Sequence, residues 1–174
     1  SKILLTIHDL NYLVELSNPN DFEEERKKHQ RILDMADHIV CVSNFSKKTV
    51  LENLDTKGKP IDVIYQGCEL AEFETVDKPH YIPKGPFLFA MSNVLPKKNF
   101  HVLPCLLVGN KYELIISGII EHAPQKEYVK VIMENARLHG VQDRVIITGP
   151  VSNEERQWYY KNCLAFMFPS IAEG

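Results

Sequence analysis

The chain carries almost no excess of charge of either sign. With 20 Lys and Arg against 23 Asp and Glu, the formal net charge is −3 and the pI is near 6.2. There is no basic surface to hold a phosphate backbone, and nucleic acid is excluded as a partner. Long apolar runs are missing as well: none approaches the ~18 residues of a spanning helix, and the amino terminus lacks a charged-then-apolar signal pattern. The chain therefore reads as soluble. Cysteine is sparse and scattered, at Cys41, Cys68, Cys105 and Cys163, with no CxxC pair. Two of these sit in apolar segments (Val40-Cys41-Val42 and Cys163-Leu164), so reduced, buried thiols in a reducing compartment are expected rather than a disulfide or metal framework.

The motifs of several large enzyme classes are also missing. Neither GxGxxG nor GxxxxGK[ST] occurs, so a dinucleotide fingerprint and a P-loop are unsupported. No Asp-x-Asp, HExxH or paired CxxC is there to hold a metal, and no GxSxG elbow to carry a nucleophile. An ordinary hydrolase, kinase or dehydrogenase has little to stand on.

What is present is a regular alternation. Hydrophobic residues make up 44% of the chain, enough for a globular core. Seven short apolar runs read as strands: 3–7, 39–42, 61–65, 87–91, 113–116, 144–147 and 164–168. Most are continuous rather than alternating, as in parallel sheets covered on both faces. Helical patterns lie between them: 21–36, with apolar Ile32, Leu33, Met35 and Ala36, and 125–139, with Val129, Ile132, Met133 and Ala136 on one face. Ser152-Asn153-Glu154-Glu155 is a capping box that starts another helix. The fold class is α/β, a βαβ series of parallel strands joined by right-handed crossovers. The stretch from Lys78 to Pro86 contains Pro79, Pro83 and Pro86 and suits an interdomain linker, with a surface loop within one domain as the alternative. The expected division is residues 1–78, a linker at 79–86, and residues 87–174, with each half incomplete and the chain ending in a loop beyond the seventh strand.

Candidate site residues cluster where strands end, since ligands of open α/β sheets bind beyond the carboxyl ends of the strands. After the fourth run, Asn93, Lys97 and Lys98 lie in what reads as a strand-to-helix turn, where helix-start amides and lysines suit a diphosphate. Two solvated lysines are the plainer alternative. After the first run, His8 can meet a sugar or phosphate with Asp9 fixing its tautomer, although from this segment alone a helix-capping Asp beside a structural His is the better reading. Ser43 is explained by helix capping alone, and Gly67 by a turn. Gly118 and the run Gly149-Pro150-Val151 end the fifth and sixth strands with residues that let backbone approach a ligand. Together these ends outline the floor of a cleft.

Taken in order, these segments resemble the retaining glycosyltransferases of the GT-B fold, the group 1 type with many mannosyl- and glucosyltransferases. The likeness is carried by 36–43 (Ala-Asp, apolar strand, Ser), Gln66-Gly67-Cys68-Glu69, Pro96-Lys97-Lys98-Asn99, 114–118, 143–151, and Phe168-Pro169-Ser170-Ile171-Ala172-Glu173-Gly174. It spans nearly the whole chain. One departure stands out: many members carry arginine where this chain has Asn93.

The resemblance implies two Rossmann-like domains, the first binding acceptor and the second a nucleotide-diphosphate sugar. It makes Lys98 the diphosphate lysine, aided by Lys97 and Asn93, and puts Gly149, Pro150 and Val151 near the base. Glu173 and His8 become the catalytic residues near the transferred sugar, with Asp9, Ser43, Gly67 and Gly118 on the rim. It implies retention at the anomeric carbon, no metal and no cofactor beyond the donor substrate, and a glycan or lipid-linked glycan acceptor in cell-surface polysaccharide synthesis. It further implies a cytoplasmic enzyme docked peripherally at the inner face of the membrane. An internal piece lacking both ends of such an enzyme is expected to be inactive alone. A non-catalytic nucleotide-sugar-binding module, and a phosphorylase or epimerase of the same fold, are the alternatives.

Overall fold

The computed structural model describes residues 2–16, 18–67 and 78–173. The chain forms two compact units, residues 1–70 with 172–174, and residues 71–171.

In the first unit, β1 (Leu4–Ile7), β2 (His38–Cys41) and β3 (Ile61–Val63) pair in parallel in the order β1-β2-β3, with Leu5 opposite Ile39 and Val40 opposite Asp62. Between the first two strands run α1 (Tyr12–Glu15) and α2 (Pro19–Met35), and between the second two runs α3 (Asn44–Asn53). Helix α2 begins where the Asn18 side chain accepts the amide of Asn20 and Pro19 presets φ at the first helical position. Its apolar residues form two neighbouring stripes. Leu33 and the capping Ala36 are buried, whereas Ile32 and Met35, one residue back on the wheel, are exposed. The core joins Ile7, Leu10, Leu33, Ile39, Cys41 and Val50.

In the second unit, β4 (Phe87–Met91), β5 (Glu113–Ser117), β6 (Val145–Gly149) and β7 (Ala165–Phe166) are all parallel, in the order β6-β5-β4-β7. Helix α4 (Ala123–Leu138) links β5 to β6, and α5 (Asn153–Asn162) links β6 to β7. Every residue of β5 is buried, because the sheet is covered on both faces. Leu114 and Ile116 pack with Phe100, Leu107, Tyr128 and Ile132, while Ile115 packs with Phe87, Phe89 and Tyr159 on the opposite side. Helix α5 carries the reciprocal capping box, Glu155 N to Ser152 Oγ at 3.1 Å and Ser152 N to Glu155 Oε2 at 2.9 Å.

Two expectations about this unit are corrected. No α-helix follows β4: three short 3-10 turns, Pro96–Lys98, Phe100–Val102 and Pro104–Leu107, take its place. Pro104 and the left-handed Asn99 (φ 58°) break any continuous helical ladder there, so no α-helix start with a full helix dipole stands after β4. The run Leu164 to Phe168 is an edge strand rather than a buried one, with Leu164, Phe166 and Phe168 exposed.

The strand order holds a feature that matters for function. From β4 the chain builds outward to β5 and β6, then α5 carries it back past β4 to β7. The winding reverses at β4 and β7, and in open α/β sheets a crevice forms outside the carboxyl ends at such a switch point.

The proline-rich stretch is neither helix nor strand, and it is bonded to the second unit. Buried Glu113 accepts from the Tyr81 hydroxyl and from the Lys84 amide (2.6 Å); Tyr159 donates to the Tyr81 carbonyl (2.7 Å), and Glu155 accepts from the His80 amide (2.8 Å). Among the described cysteines, all free, Cys41 is buried and Cys163 half-buried, but Cys105 is exposed on a 3-10 turn, against expectation. Cys68, Glu69 and Gly174 lie outside the described residues.

Candidate functional site

The loops leaving β4, β5 and β6 are joined backbone to backbone. Ser92 N donates to Ser117 O (3.2 Å), Val94 N to Ile119 O (3.3 Å) and Gly118 N to Gly149 O (2.9 Å). Gly118 is required for this: its φ is +145°, and an added Cβ would stand 1.7 Å from the Ser92 carbonyl oxygen. Gly149 is also left-handed, at φ +77°. Gly118 thus lets the loops after β4 and β5 approach one another. Across the same rim, the hydroxyls of Ser117 and Thr148 lie 2.7 Å apart. Pro150 is exposed, and Val151 packs half-buried under α5 beside Trp158 and Tyr159.

At the switch point, the loop after β4 meets the loop after β7. Lys98 closes the first 3-10 turn and is only 8% exposed, with its ammonium 5.3 Å from the centre of the Phe168 ring. The amide of Ile171 donates to the carbonyl of Lys97 at 2.9 Å. Asn99 at left-handed φ turns the chain immediately after the lysines; asparagine tolerates that conformation better than most residues. Beside them, Ser170 Oγ is buried with no hydrogen-bond partner among the described residues. A cation held this far from water, at the carboxyl edge where the winding reverses, has the chemistry to meet an anion.

Asn93 is exposed on the β4 loop, and its Oδ1 accepts from Gln125 Nε2 at 3.0 Å. Gln125 was not legible as a site residue. It occupies a core-facing position of α4, and only its contact with Asn93 reveals a polar role.

In the first unit, His8 and Asp9 leave the carboxyl end of β1. The partner of His8 is Gln66, whose Nε2 lies 3.2 Å from His8 Nδ1, while the Asp9 carboxylate accepts from the amide of Asn11 at 2.9 Å. The expectation that Asp9 fixes the tautomer is therefore corrected: an amide donating to Nδ1 leaves the proton on Nε2. Ser43 Oγ caps α3 by accepting from Ser46 N at 3.0 Å, and Ser46 Oγ donates to the His8 carbonyl at 3.0 Å. The capping that explained Ser43 thus also anchors the His8 loop. A groove of about 260 Å³ beside it is lined by Leu5, His8, Asp9, His29 and Ile32. Gly67 is exposed, lacks positive φ, and has open space where a Cβ would stand, so its backbone does not require glycine.

Glu173 is exposed and belongs with the first unit. Among the described residues, no group of three or more His, Cys, Asp or Glu is placed to hold a metal ion, and no helix is long and apolar enough to cross a membrane.

Comparison with known proteins gives this arrangement its family. Residues 72–174 match the family described as Glycosyl transferases group 1. Two curated Escherichia coli proteins, each named serotype-specific mannosyltransferase WbdA, are 24% identical over 99% of the chain, which spans about a quarter of their length (23% and 22%). Among solved structures, sucrose-phosphate synthase from Thermosynechococcus elongatus superposes with a TM-score of 0.74 at 18% identity, over 98% of this chain and 45% of that one. HepE from Anabaena, solved in complex with UDP-glucose, gives 0.73 at 14% identity, over 98% and 47%. The parallel-sheet units are those of a GT-B fold, and the chain belongs to the group 1 glycosyl transferases.

Proposed function

We propose that the protein moves a hexose, mannose or glucose, from a nucleotide-diphosphate sugar to an acceptor hydroxyl with retention at the anomeric carbon. The observation that carries this reading is the nearly buried Lys98 on the loop where the winding of the second sheet reverses. The family match supplies the reaction class. The relatives point the same way: one is a mannosyltransferase by name, and another is solved with UDP-glucose.

In this reading, the bond from the sugar's anomeric carbon to the diphosphate oxygen breaks, and the acceptor oxygen bonds to that carbon. The acceptor's proton leaves on the departing diphosphate. Negative charge grows on the diphosphate as the bond breaks, so a fixed cation there stabilises the transition state more than the ground state. Lys98 supplies it, with Lys97 and Asn93 beside it. Because the 3-10 turns after β4 are too short to present a helix start, the side chains carry this work rather than helix-start amides. Gly149, Pro150 and Val151 lie near the base in this assignment, and His8 and Glu173 near the sugar. No metal takes part. The acceptor is a glycan or lipid-linked glycan in surface polysaccharide synthesis, reached by peripheral docking at the inner face of the membrane.

Asn93 favours a second reading. A neutral amide forgoes a charge-assisted contact worth about 1.5–3 kcal/mol in a typical site, as suits a module that holds a nucleotide sugar without transferring it. Release of nucleoside diphosphate from UDP- and GDP-hexoses by the full-length enzyme, wild type and variant, separates the two. Turnover that falls steeply in Lys98→Ala with the fold intact supports the transferase. Turnover unchanged in Lys98→Ala removes the assignment, and donor binding without turnover favours the module.

A further inference from the structure

We infer that Gln125 is a positioning residue for the donor diphosphate, holding the Asn93 carboxamide so that its N–H groups face the anion. The inference rests on the donor site proposed above. Gln125 shares the buried stripe of α4 with Tyr128, Ile132 and Ala136 and is 6% exposed. Its Nε2 donates to Asn93 Oδ1 at 3.0 Å, and its Oε1 is buried with no hydrogen-bond partner among the described residues. A buried amide oxygen in that state disfavours folding, and leucine or methionine at the same place would avoid the penalty. Stability therefore does not explain a glutamine here.

Orientation does. A carboxamide is two-sided, with an oxygen that accepts and a nitrogen that donates two hydrogens. With Oδ1 engaged by Gln125, the side of Asn93 left to a ligand is the donating one. Its backbone is fixed on either side, through Ser92 N to Ser117 O and Val94 N to Ile119 O, so the side-chain torsions are the remaining freedom. Turned over, the same residue would set its oxygen against a phosphate and repel it. Gln125 thus selects between an attractive and a repulsive form of one exposed side chain in the loop that carries Lys98.

The test is calorimetric binding of UDP and GDP to wild type, Gln125→Leu, Gln125→Glu, Asn93→Ala and the Gln125→Leu/Asn93→Ala double variant, with Lys98→Ala as control and thermal midpoints measured in parallel. The expected result is about three- to tenfold weaker nucleotide binding in Gln125→Leu with an unchanged or raised midpoint, and no further loss when it is added to Asn93→Ala. Gln125→Glu, which only accepts, turns the carboxamide over and weakens binding more than leucine does. Unchanged binding in Gln125→Leu while Lys98→Ala weakens it overturns this inference alone. A full loss that persists in the Asn93→Ala background also overturns it, since Gln125 then acts through the fold. Binding that is unaffected in Lys98→Ala overturns the donor site itself.

Discussion

The amide of Ile171 donates to the carbonyl of Lys97 at 2.9 Å, fastening the loop beyond β7 to the loop beyond β4. Lys97 and Lys98 are therefore held from two sides, by their own 3-10 turn and by the chain that follows Phe168. Ile171→Pro removes the donor. The expected outcome is a loss of about 1 kcal/mol of stability and weaker nucleotide binding, read by denaturant titration and calorimetry. Binding equal to wild type would show that this fastening does not hold the lysines.

Gly118→Ala should be among the most damaging single substitutions in the second unit. The new methyl would stand 1.7 Å from the Ser92 carbonyl oxygen in a backbone at φ +145°, so β5 and the β4 loop must separate. The expected cost is about 3 kcal/mol or more, measured by chemical denaturation, with loss of soluble protein as the extreme form of the same result.

Asn99 offers a milder contrast. At φ 58° glycine fits as well as asparagine, while alanine is strained. Asn99→Gly should be within about 0.5 kcal/mol of wild type, and Asn99→Ala should lose about 1 kcal/mol. Thermal unfolding of the pair distinguishes a conformational role for the side chain from a ligand contact, which both variants would lose.

Acid should weaken the second unit through Glu155. Burial pushes this carboxyl up, but the amides of Ser152 and His80 and the His80 ring outweigh it and hold the pKa below its ordinary value of 4.5. A depressed carboxyl contributes stability above its unfolded pKa and loses it as pH falls through the folded one. Glu155→Gln should therefore be less stable than wild type at pH 7 by about 1 kcal/mol, with the gap closing at acid pH below that depressed value. A gap independent of pH in denaturation curves would mean the carboxylate's charge plays no part.

Much of this fold was legible because its strands are continuous apolar runs, and all seven lie where those runs stand. The capping serines Ser43 and Ser152 were legible for a similar reason: each acts on a backbone amide three residues away. The strand order was not, because nothing local in Leu164–Phe168 says on which side of β4 that segment pairs. The reversal at β4 and β7, which singles out the Lys98 loop, is thus a long-range property. Gln66 as the partner of His8 was not legible for the same reason, since it lies 58 residues away, whereas the local role weighed for Asp9, accepting a nearby backbone amide, was. The missing helix after β4 turns on Asn99 taking left-handed φ, which an asparagine permits but does not announce. Gln125 was hidden because a helical period assigns a residue to a face and cannot say which loop that face will meet.

If Lys98 holds the diphosphate of a nucleotide-sugar donor, removing its ammonium must weaken donor binding. The decisive experiment is calorimetric titration of the full-length protein with a panel of UDP- and GDP-hexoses, wild type and Lys98→Ala side by side. The expected result is selective binding of one donor by wild type and binding at least about tenfold weaker in Lys98→Ala, as befits a lost charge-assisted contact. Equal affinity in the two proteins, or no binding of any donor by wild type, would contradict it.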